Sequence, residues 1–232
     1  MSEIRENIKR VQESIAYAAE RCGRRADDIL LMAVSKTCAS EKVADAYGDG
    51  LRVFGENRVQ EAEGKIFALH ELDIQWHLIG HLQTNKVKKA LALFHLIHSV
   101  DSPKLVEALQ KEADKLDRTA DILLEVNLGG EETKSGADVK EFENLIQAVQ
   151  SAPRVHCRGL MTIPPFLDDP EDARPFFREL RELAEKYAED FLYPGVRMEL
   201  SMGMTHDFPV AIEEGATIVR VGTAIFGARF YP

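Results

Sequence analysis

Apolar residues recur along this chain in two patterns that alternate from beginning to end. Short runs that are apolar on both faces predict buried strands of a parallel sheet. These runs are residues 29–36, 51–54, 75–80, 96–100, 121–127, 157–162, 197–201 and 217–222. Between them, apolar residues spaced three or four positions apart predict helices that bury one face. The chain therefore repeats one strand–helix unit eight times.

One more helix is predicted before the first strand. Apolar residues follow helical spacing over residues 4–19, and Gly23 marks the end of this helix. Two later helices carry start signals. Ser40 and Ser102 are predicted N-caps, and Pro103 takes the first helical position after Ser102.

Eight strand–helix units in 232 residues predict a single (β/α)8 barrel, a TIM barrel, with an additional N-terminal helix. The whole chain, residues 1–232, is then one domain. A doubly wound sheet is the alternative fold. That fold normally carries a G-x-G-x-x-G stretch after a strand, and the chain has neither this stretch nor a Walker loop.

Charge and composition narrow the class of protein. The net charge of −10 argues against nucleic acid or membrane partners, because both need a basic surface. Three widely spaced cysteines are typical of a reducing compartment, and the polar N-terminus is no signal peptide. We therefore predict a cytoplasmic location. The pairs His77/His81 and His95/His98 lack a third ligand at suitable spacing, so no metal site is predicted.

The first predicted strand ends in a lysine. Functional groups of such barrels lie at the C-terminal ends of the strands, and Lys36 occupies that place. A lysine between apolar strands is desolvated, which favours a neutral amine that can form a Schiff base with an aldehyde. The alternative is that Lys36 only marks the exit of the strand into solvent.

The last two predicted strands end in similar loops. Ser201 and Gly203 precede one short helix, and Gly222 and Thr223 precede another. Loops at these two places bind phosphate in barrels, because glycine lets the backbone approach the anion and a hydroxyl adds a donor. Ordinary helix caps are the alternative. Together with Lys36, the two loops favour a phosphate site.

Arg220 lies between these features. Strand alternation puts it on the same face as Gly222, so it is predicted to point into the barrel mouth beneath the phosphate. A buried guanidinium needs a partner, and a salt bridge to Glu125 or Glu199 is the alternative role. An amine for an aldehyde, a phosphate cradle and an arginine between them match the parts of pyridoxal 5′-phosphate (PLP). PLP is therefore the predicted cofactor.

Seven segments, in order and spread over nearly the whole chain, are typical of one known family. They are AVSKT (33–37), FGENRVQE (54–61), WHLIGHLQTNK (76–86), VNLGGEETKSG (126–136), GLMTI (159–163), SMGM (201–204) and VRVGTAIFG (219–227). The chain thereby resembles the pyridoxal phosphate homeostasis proteins, single-domain relatives of the alanine racemase barrel.

The resemblance implies roles for the candidate residues. Lys36 would be the Schiff-base lysine, Asn57 would lie beside the ring, and Arg220 would face the pyridine nitrogen. The implied phosphate ligands are Ser201, Gly222 and Thr223.

The chain departs from the family pattern at two places. Cys38 and Ala39 stand where many members have Lys-Pro, and Thr205 stands where serine is common. The segment 133–136 after the fifth predicted strand is either a rim loop over the site or a plain surface turn.

The resemblance implies a protein that binds PLP in vitamin B6 homeostasis without strong turnover. PLP-dependent apo-enzymes are expected partners, and a monomer is expected. A small PLP-dependent racemase is the alternative. Racemisation needs a second base opposite Lys36. In two-domain racemases that base resembles a tyrosine from an additional domain, and Tyr231, near the last residue Pro232, is not placed to replace it.

Overall fold

Eight parallel strands close into a barrel in the computed structural model, which describes residues 2–130, 135–191 and 198–228. The strands are β1 (Leu30–Val34), β2 (Val53–Glu56), β3 (Gln75–Leu78), β4 (Leu96–Val100), β5 (Ala120–Glu125), β6 (Val155–Met161), β7 (Glu199–Met204) and β8 (Ile218–Val221). Each strand pairs with its neighbours in chain order, and β1 pairs with β8. The predicted (β/α)8 barrel is therefore confirmed, and the doubly wound alternative is wrong.

Helices follow the strands on the outside of the barrel. They are α1 (Glu3–Arg21), α2 (Ser40–Gly48), α3 (Val59–Ala68), α4 (Val87–Leu93), α5 (Pro103–Lys115), α6 (Phe142–Gln150), α7 (Arg174–Lys186), α8 (Ala188–Phe191), α9 (Phe208–Glu213) and α10 (Thr223–Phe226). Short 3₁₀ turns occur at Ala26–Asp28, Thr84–Lys86, Val139–Glu141 and Pro170–Ala173. None of the helices in these described ranges combines the length and apolar character that crossing a membrane requires.

The additional N-terminal helix is confirmed as α1. Its buried face includes Ile8, Val11 and Ile15, and the helix packs against α9 and α10. Gly23 follows the C-cap with a φ of 69°, a left-handed conformation that glycine adopts without strain. The end predicted for this helix is thus the observed one.

The start signals of two other helices had different outcomes. Ser102 is the N-cap of α5 and Pro103 is its first residue, although the Ser102 side chain makes no capping bond. The N-cap prediction for Ser40 is wrong, since Ser40 is the first residue of α2 and Ala39 precedes it. A serine in the first turn of a helix has the same sequence signature as a cap, so spacing alone did not separate them.

Alternation along the strands arranges the barrel interior in layers. An apolar layer is formed by Met32, Val53, Leu96, Leu123, Met161 and Ile218. Side chains two residues apart on a strand face the same side. Lys36, Asn57 and Gly222, each four residues beyond a member of this layer, therefore lie above it at the C-terminal end. The main core lies between the outer strand faces and the helices.

Candidate functional site

A cavity of about 480 Å³ opens at the C-terminal end of the barrel, within the size range of small-molecule sites. The sequence-predicted residues that line it are Lys36, Asn57, Arg220, Gly222 and Thr223. The other lining residues are Val34, Ile79, Gly80, His81, Ser135, Ile163, Phe166, Met204, Thr205 and His206. Ser201, which was also predicted to belong to the site, does not line the cavity.

Lys36 lies in the turn that follows β1. The amide of Cys38 donates to the carbonyl of Ser35 at 3.0 Å, so that Lys36 and Thr37 are the central residues of a β-turn. The lysine side chain is half-buried at the cavity wall. It continues the inward-facing series of Met32 and Val34, which explains why its side chain reaches the cavity.

Asn57 follows β2 and meets the end of β3 at Gly80. A Cβ atom built on Gly80 would lie 2.3 Å from the backbone oxygen of Asn57. The two backbones therefore approach as closely as they do because residue 80 has no side chain. This contact sets the cavity wall on the side of Asn57.

Two threonine hydroxyls meet where β7 and β8 reach the cavity. The Oγ1 atoms of Thr223 and Thr205 are 3.2 Å apart, and Gly222 lines the cavity with them. Hydroxyls with a glycine backbone suit an anion such as a phosphate group. Thr205, noted in the sequence only as a replacement for serine, therefore joins the predicted Gly222 and Thr223.

Ser201 lies deeper than the sequence suggested. Strand β7 continues three residues past the predicted end, and its register pairs Ser201 with Ile218 and Met204 with Arg220, with an irregularity between. Ser201 is fully buried, level with the apolar layer of the barrel. Its hydroxyl contacts Arg220 rather than the cavity.

Arg220 is held from below by two oxygen atoms. Its Nη1 donates to Ser201 Oγ and its Nη2 donates to the carbonyl of Thr162, both at 2.8 Å. The alternative partners have other contacts: the carboxylate of Glu125 accepts from Ser135, and that of Glu199 accepts from Thr217.

The position of Arg220 affects its ionisation. Burial lowers the pKa of Arg220 to about 10, against the opposing charges of Asp207 and Glu125, so the guanidinium stays charged at neutral pH. Asp207 is itself buried just before α9, where its carboxylate accepts from the Met204 amide at 2.6 Å. The barrel thus presents a fixed positive charge to the floor of the cavity.

Two buried histidines extend this network across the barrel. His98 Nδ1 lies 2.9 Å from Ser201 Oγ, and His98 Nε2 lies 3.0 Å from His77 Nδ1. Burial lowers the pKa of His77 to about 3 and that of His98 well below its ordinary value. Both rings are therefore neutral, and each has one donor and one acceptor nitrogen for this chain of contacts.

Glu125 is the second buried ionisable group near the cavity. Burial raises its pKa to about 7, with Ser135 and Arg220 opposing the shift. Ser135 donates to its Oε1 at 2.9 Å, while Oε2 has no partner within the described ranges. Ser135 also lines the cavity, as the rim-loop alternative for segment 133–136 requires at that position. Residues 133–134 of the segment lie outside the described residues.

The rim of the cavity carries two exposed imidazoles. His81 lies 3.6 Å from Asp101, and His206 packs against the ring of Phe166 at 5.3 Å between centroids. The described residues contain no cluster of three or more His, Cys, Asp or Glu side chains suited to a metal. Tyr231 lies outside the described residues.

The donor set fits PLP. An amine, two hydroxyls, a glycine backbone and a guanidinium line the same cavity as the apolar side chains of Ile79 and Ile163. The aldehyde, the phosphate and the flat ring each find a matching partner. The links among Arg220, Ser201, His98 and His77 gave no sequence signal, because they depend on strand register and not on spacing within a strand.

Comparison with known proteins finds a matching family and relatives that are similar over the full length. Residues 1–230 match the family described as "Alanine racemase, N-terminal domain". A pyridoxal phosphate homeostasis protein of Aquifex aeolicus (strain VF5) is 50% identical over 226 residues, which cover 97% of this chain and 98% of that protein.

Two solved structures are similar over nearly their whole length. A crystal structure described as an unknown protein from Bifidobacterium adolescentis has a TM-score of 0.87 at 40% identity, with 97% of this chain and 94% of that chain covered. PipY of Synechococcus elongatus PCC7942, solved with PLP bound, has a TM-score of 0.80 at 39% identity, with coverage of 92% and 100%.

Proposed function

The chain belongs to the pyridoxal phosphate homeostasis proteins of the alanine racemase N-terminal domain family, and from this we propose that it binds PLP at the C-terminal end of its barrel. The observation that carries the proposal is that Lys36, Arg220 and the hydroxyl pair of Thr205 and Thr223 line one cavity. When bound, PLP would supply an aldehyde that can react with a primary amine, and Lys36 is the amine that would meet it.

Each residue has a proposed task. Lys36 provides the amine, and Asn57 forms the wall beside the ring. Thr205, Gly222 and Thr223 bind the phosphate. Arg220 directs its charge at the pyridine nitrogen, and Ser201 serves the site by orienting that guanidinium from below.

We propose a carrier and not an efficient enzyme. A charged guanidinium at the pyridine nitrogen keeps that nitrogen unprotonated, which weakens the ring as an acceptor of electrons. The protein would act in the cytoplasm as a monomeric single domain over residues 1–232. It would hold PLP for intracellular vitamin B6 homeostasis and supply PLP-dependent apo-enzymes.

Chemical trapping tests the assignment of Lys36. Borohydride reduction of the PLP-loaded protein should fix the cofactor mass on the peptide that contains Lys36, and Lys36→Ala should abolish that adduct. Lys42→Ala is the matched control, since Lys42 lies by a neighbouring cavity with its Nζ 3.5 Å from the Phe226 carbonyl. An adduct mapped to Lys86 or Lys42 would overturn the assignment.

A PLP-dependent racemase is the second candidate function. It needs a second base across the cavity from Lys36. His81 and His206 are the described lining residues, besides Lys36 and Arg220, with an ionisable side chain. Conversion of L-alanine to D-alanine that exceeds free PLP and falls in His81→Ala or His206→Ala would favour this candidate over the carrier.

A further inference from the structure

A buried lysine lies directly behind the turn that carries Lys36. Lys65, on α3, is 7% exposed, and its ammonium makes three hydrogen bonds. They reach the carbonyl of Ser35 at 2.6 Å, Glu56 Oε1 at 2.8 Å and Glu61 Oε1 at 2.9 Å. Lys65 does not line the cavity, so the proposed binding of PLP leaves it without a task.

The contacts of this network converge on the two residues that flank Lys36. Lys65 contacts the Ser35 carbonyl, and Ser35 Oγ donates to Glu56 Oε1 at 2.6 Å. On the other side, Glu61 Oε1 accepts from the backbone amide of Thr37. The peptide groups before and after Lys36 are therefore both fixed by side chains of α3, while Glu56 of β2 holds the Ser35 hydroxyl.

The turn needs such support because of Thr37. Its φ is 64°, in the left-handed region that β-branched residues rarely adopt. The third position of a turn with this geometry normally holds glycine or asparagine. A strained residue of this kind persists where surrounding contacts determine the backbone, and such residues cluster at functional sites.

Lys65, Glu56 and Glu61 form a charged cluster that supports the turn, here called the clamp, and their ionisation suits a permanent support. Burial by itself would raise the pKa of Glu61. Hydrogen bonds from Lys65 and from the Thr37 amide outweigh burial and hold this pKa below its ordinary value, so the carboxylate stays ionised. Burial raises the pKa of Glu56, against the hydrogen bonds from Lys65 and Ser35. Glu56 is fully buried, and its Oε2 has no partner in the part of the chain that the structure describes.

We infer that Lys65 and Glu61 are positioning residues that hold the turn at residues 35–38 so that the amine of Lys36 faces the cavity. The inference rests on the proposed function, because it assigns these residues to the same amine. It also explains the segment FGENRVQE, whose Glu56 and Glu61 supply the two carboxylates.

Glu61→Ala is the first test, because the Glu61 side chain is 29% exposed and its loss leaves no fully buried gap. Glu61→Gln keeps an oxygen acceptor for the Thr37 amide. Glu63→Ala is the matched control, since Glu63 lies on the same helix and binds Lys89 at 2.8 Å on the surface. Hydrogen exchange of the Thr37 amide, measured without cofactor, should accelerate roughly tenfold in Glu61→Ala only.

Ligand binding provides the second readout. Affinity for PLP should fall roughly tenfold in Glu61→Ala, because a misplacement of about 1 Å at a reacting group can cost up to 10²-fold. Affinity for pyridoxine 5′-phosphate, which has the same ring and phosphate but no aldehyde, should stay within about twofold. An equal loss for both ligands, or no loss for either, would overturn the inference.

Lys65 is tested in a double variant, Lys65→Met with Glu56→Gln, which leaves no unpaired charge at these two buried positions; Glu61, which loses the contact with Lys65, is 29% exposed. It should lose PLP affinity in the same selective way, and PLP binding at the wild-type level would exclude a role for Lys65. Failure of the proposed function looks different. In that case Lys36→Ala and the wild type would bind PLP equally, while the exchange of the Thr37 amide would still report on the clamp.

Discussion

Single residues of this barrel carry charges at unusual depth, and their roles follow from their partners. Arg220 stays charged because Ser201 and the Thr162 carbonyl accept its hydrogen bonds. Lys65 stays buried because two carboxylates and a carbonyl surround it. Glu125 has fewer hydrogen-bond partners, a single hydroxyl from Ser135, so burial has the largest effect on its pKa.

Glu125→Gln should change the pH dependence of stability. Burial raises the folded-state pKa from 4.5 to about 7, so the folded protein binds a proton that the unfolded chain releases between these values. Wild-type stability is therefore lost as pH rises from 4.5 to 7, by up to roughly 3 kcal/mol. Glutamine has no charge to bury and still accepts from Ser135.

Urea unfolding at pH 5 and pH 8 measures this effect. The variant should gain stability relative to the wild type at pH 8 and little at pH 5. Glu63→Gln on the surface is the control, with no such change expected. A difference between variant and wild type that does not depend on pH would contradict the assignment to Glu125.

At the scale of elements, strand periodicity was predictable and strand length was not. The alternation around Arg220 correctly put it inside the barrel with Ile218 and Gly222. It could not show that β7 continues to Met204, because hydrogen bonding to β8 and an irregular register determine where that strand ends. Ser201 was therefore expected too close to the cavity.

Ser201→Ala and Thr223→Val should show which of these two residues contacts phosphate and which supports the barrel interior. Removal of the Ser201 hydroxyl leaves buried donors and acceptors of Arg220 and His98 without a partner, which should cost about 1–3 kcal/mol of unfolding free energy. Thr223 is exposed at the cavity, so Thr223→Val should leave stability nearly unchanged. Loss of the Thr223 hydroxyl should weaken phosphate binding roughly tenfold, the value of one hydrogen bond to a charged group.

Denaturant titration and calorimetry with inorganic phosphate measure the two effects on the same samples. Ser201→Ala should bind phosphate within about threefold of the wild type, because its contact with the site is indirect. The opposite pattern would be a large loss of phosphate affinity in Ser201→Ala and none in Thr223→Val. It would show that Ser201, and not Thr223, binds the phosphate.

The whole molecule was more predictable than its interior contacts. Eight strands alternating with helices allow few architectures, so the sequence sufficed for the barrel and for the end that carries Lys36. The link between His98 and Ser201 joins β4 to β7 across the interior, and the contact of Lys65 with the Ser35 carbonyl joins a helix to a turn. Such contacts depend on how elements pack, which a local pattern does not encode.

The balance between carrier and enzyme is a property of the assembled barrel. If PLP is linked to Lys36 as proposed, its exchange with an added amino acid would need only Lys36 as a leaving amine. Removal of the α-proton also needs a base and a ring able to accept electrons. Because Arg220 is charged and held from below, we expect spectral changes with amino acids but little exchange of the α-proton in heavy water.

NMR loss of the α-proton signal of L-alanine over hours, against free PLP, measures this exchange. Arg220→Glu should raise the rate, because a carboxylate favours protonation of the pyridine nitrogen. Its loss of the contact with Ser201 should also lower PLP affinity, so the comparison requires saturating PLP. Turnover by the wild-type protein at roughly 1 per second or more, a rate typical of enzymes, would show that the guanidinium does not prevent catalysis and would establish the racemase in place of the carrier.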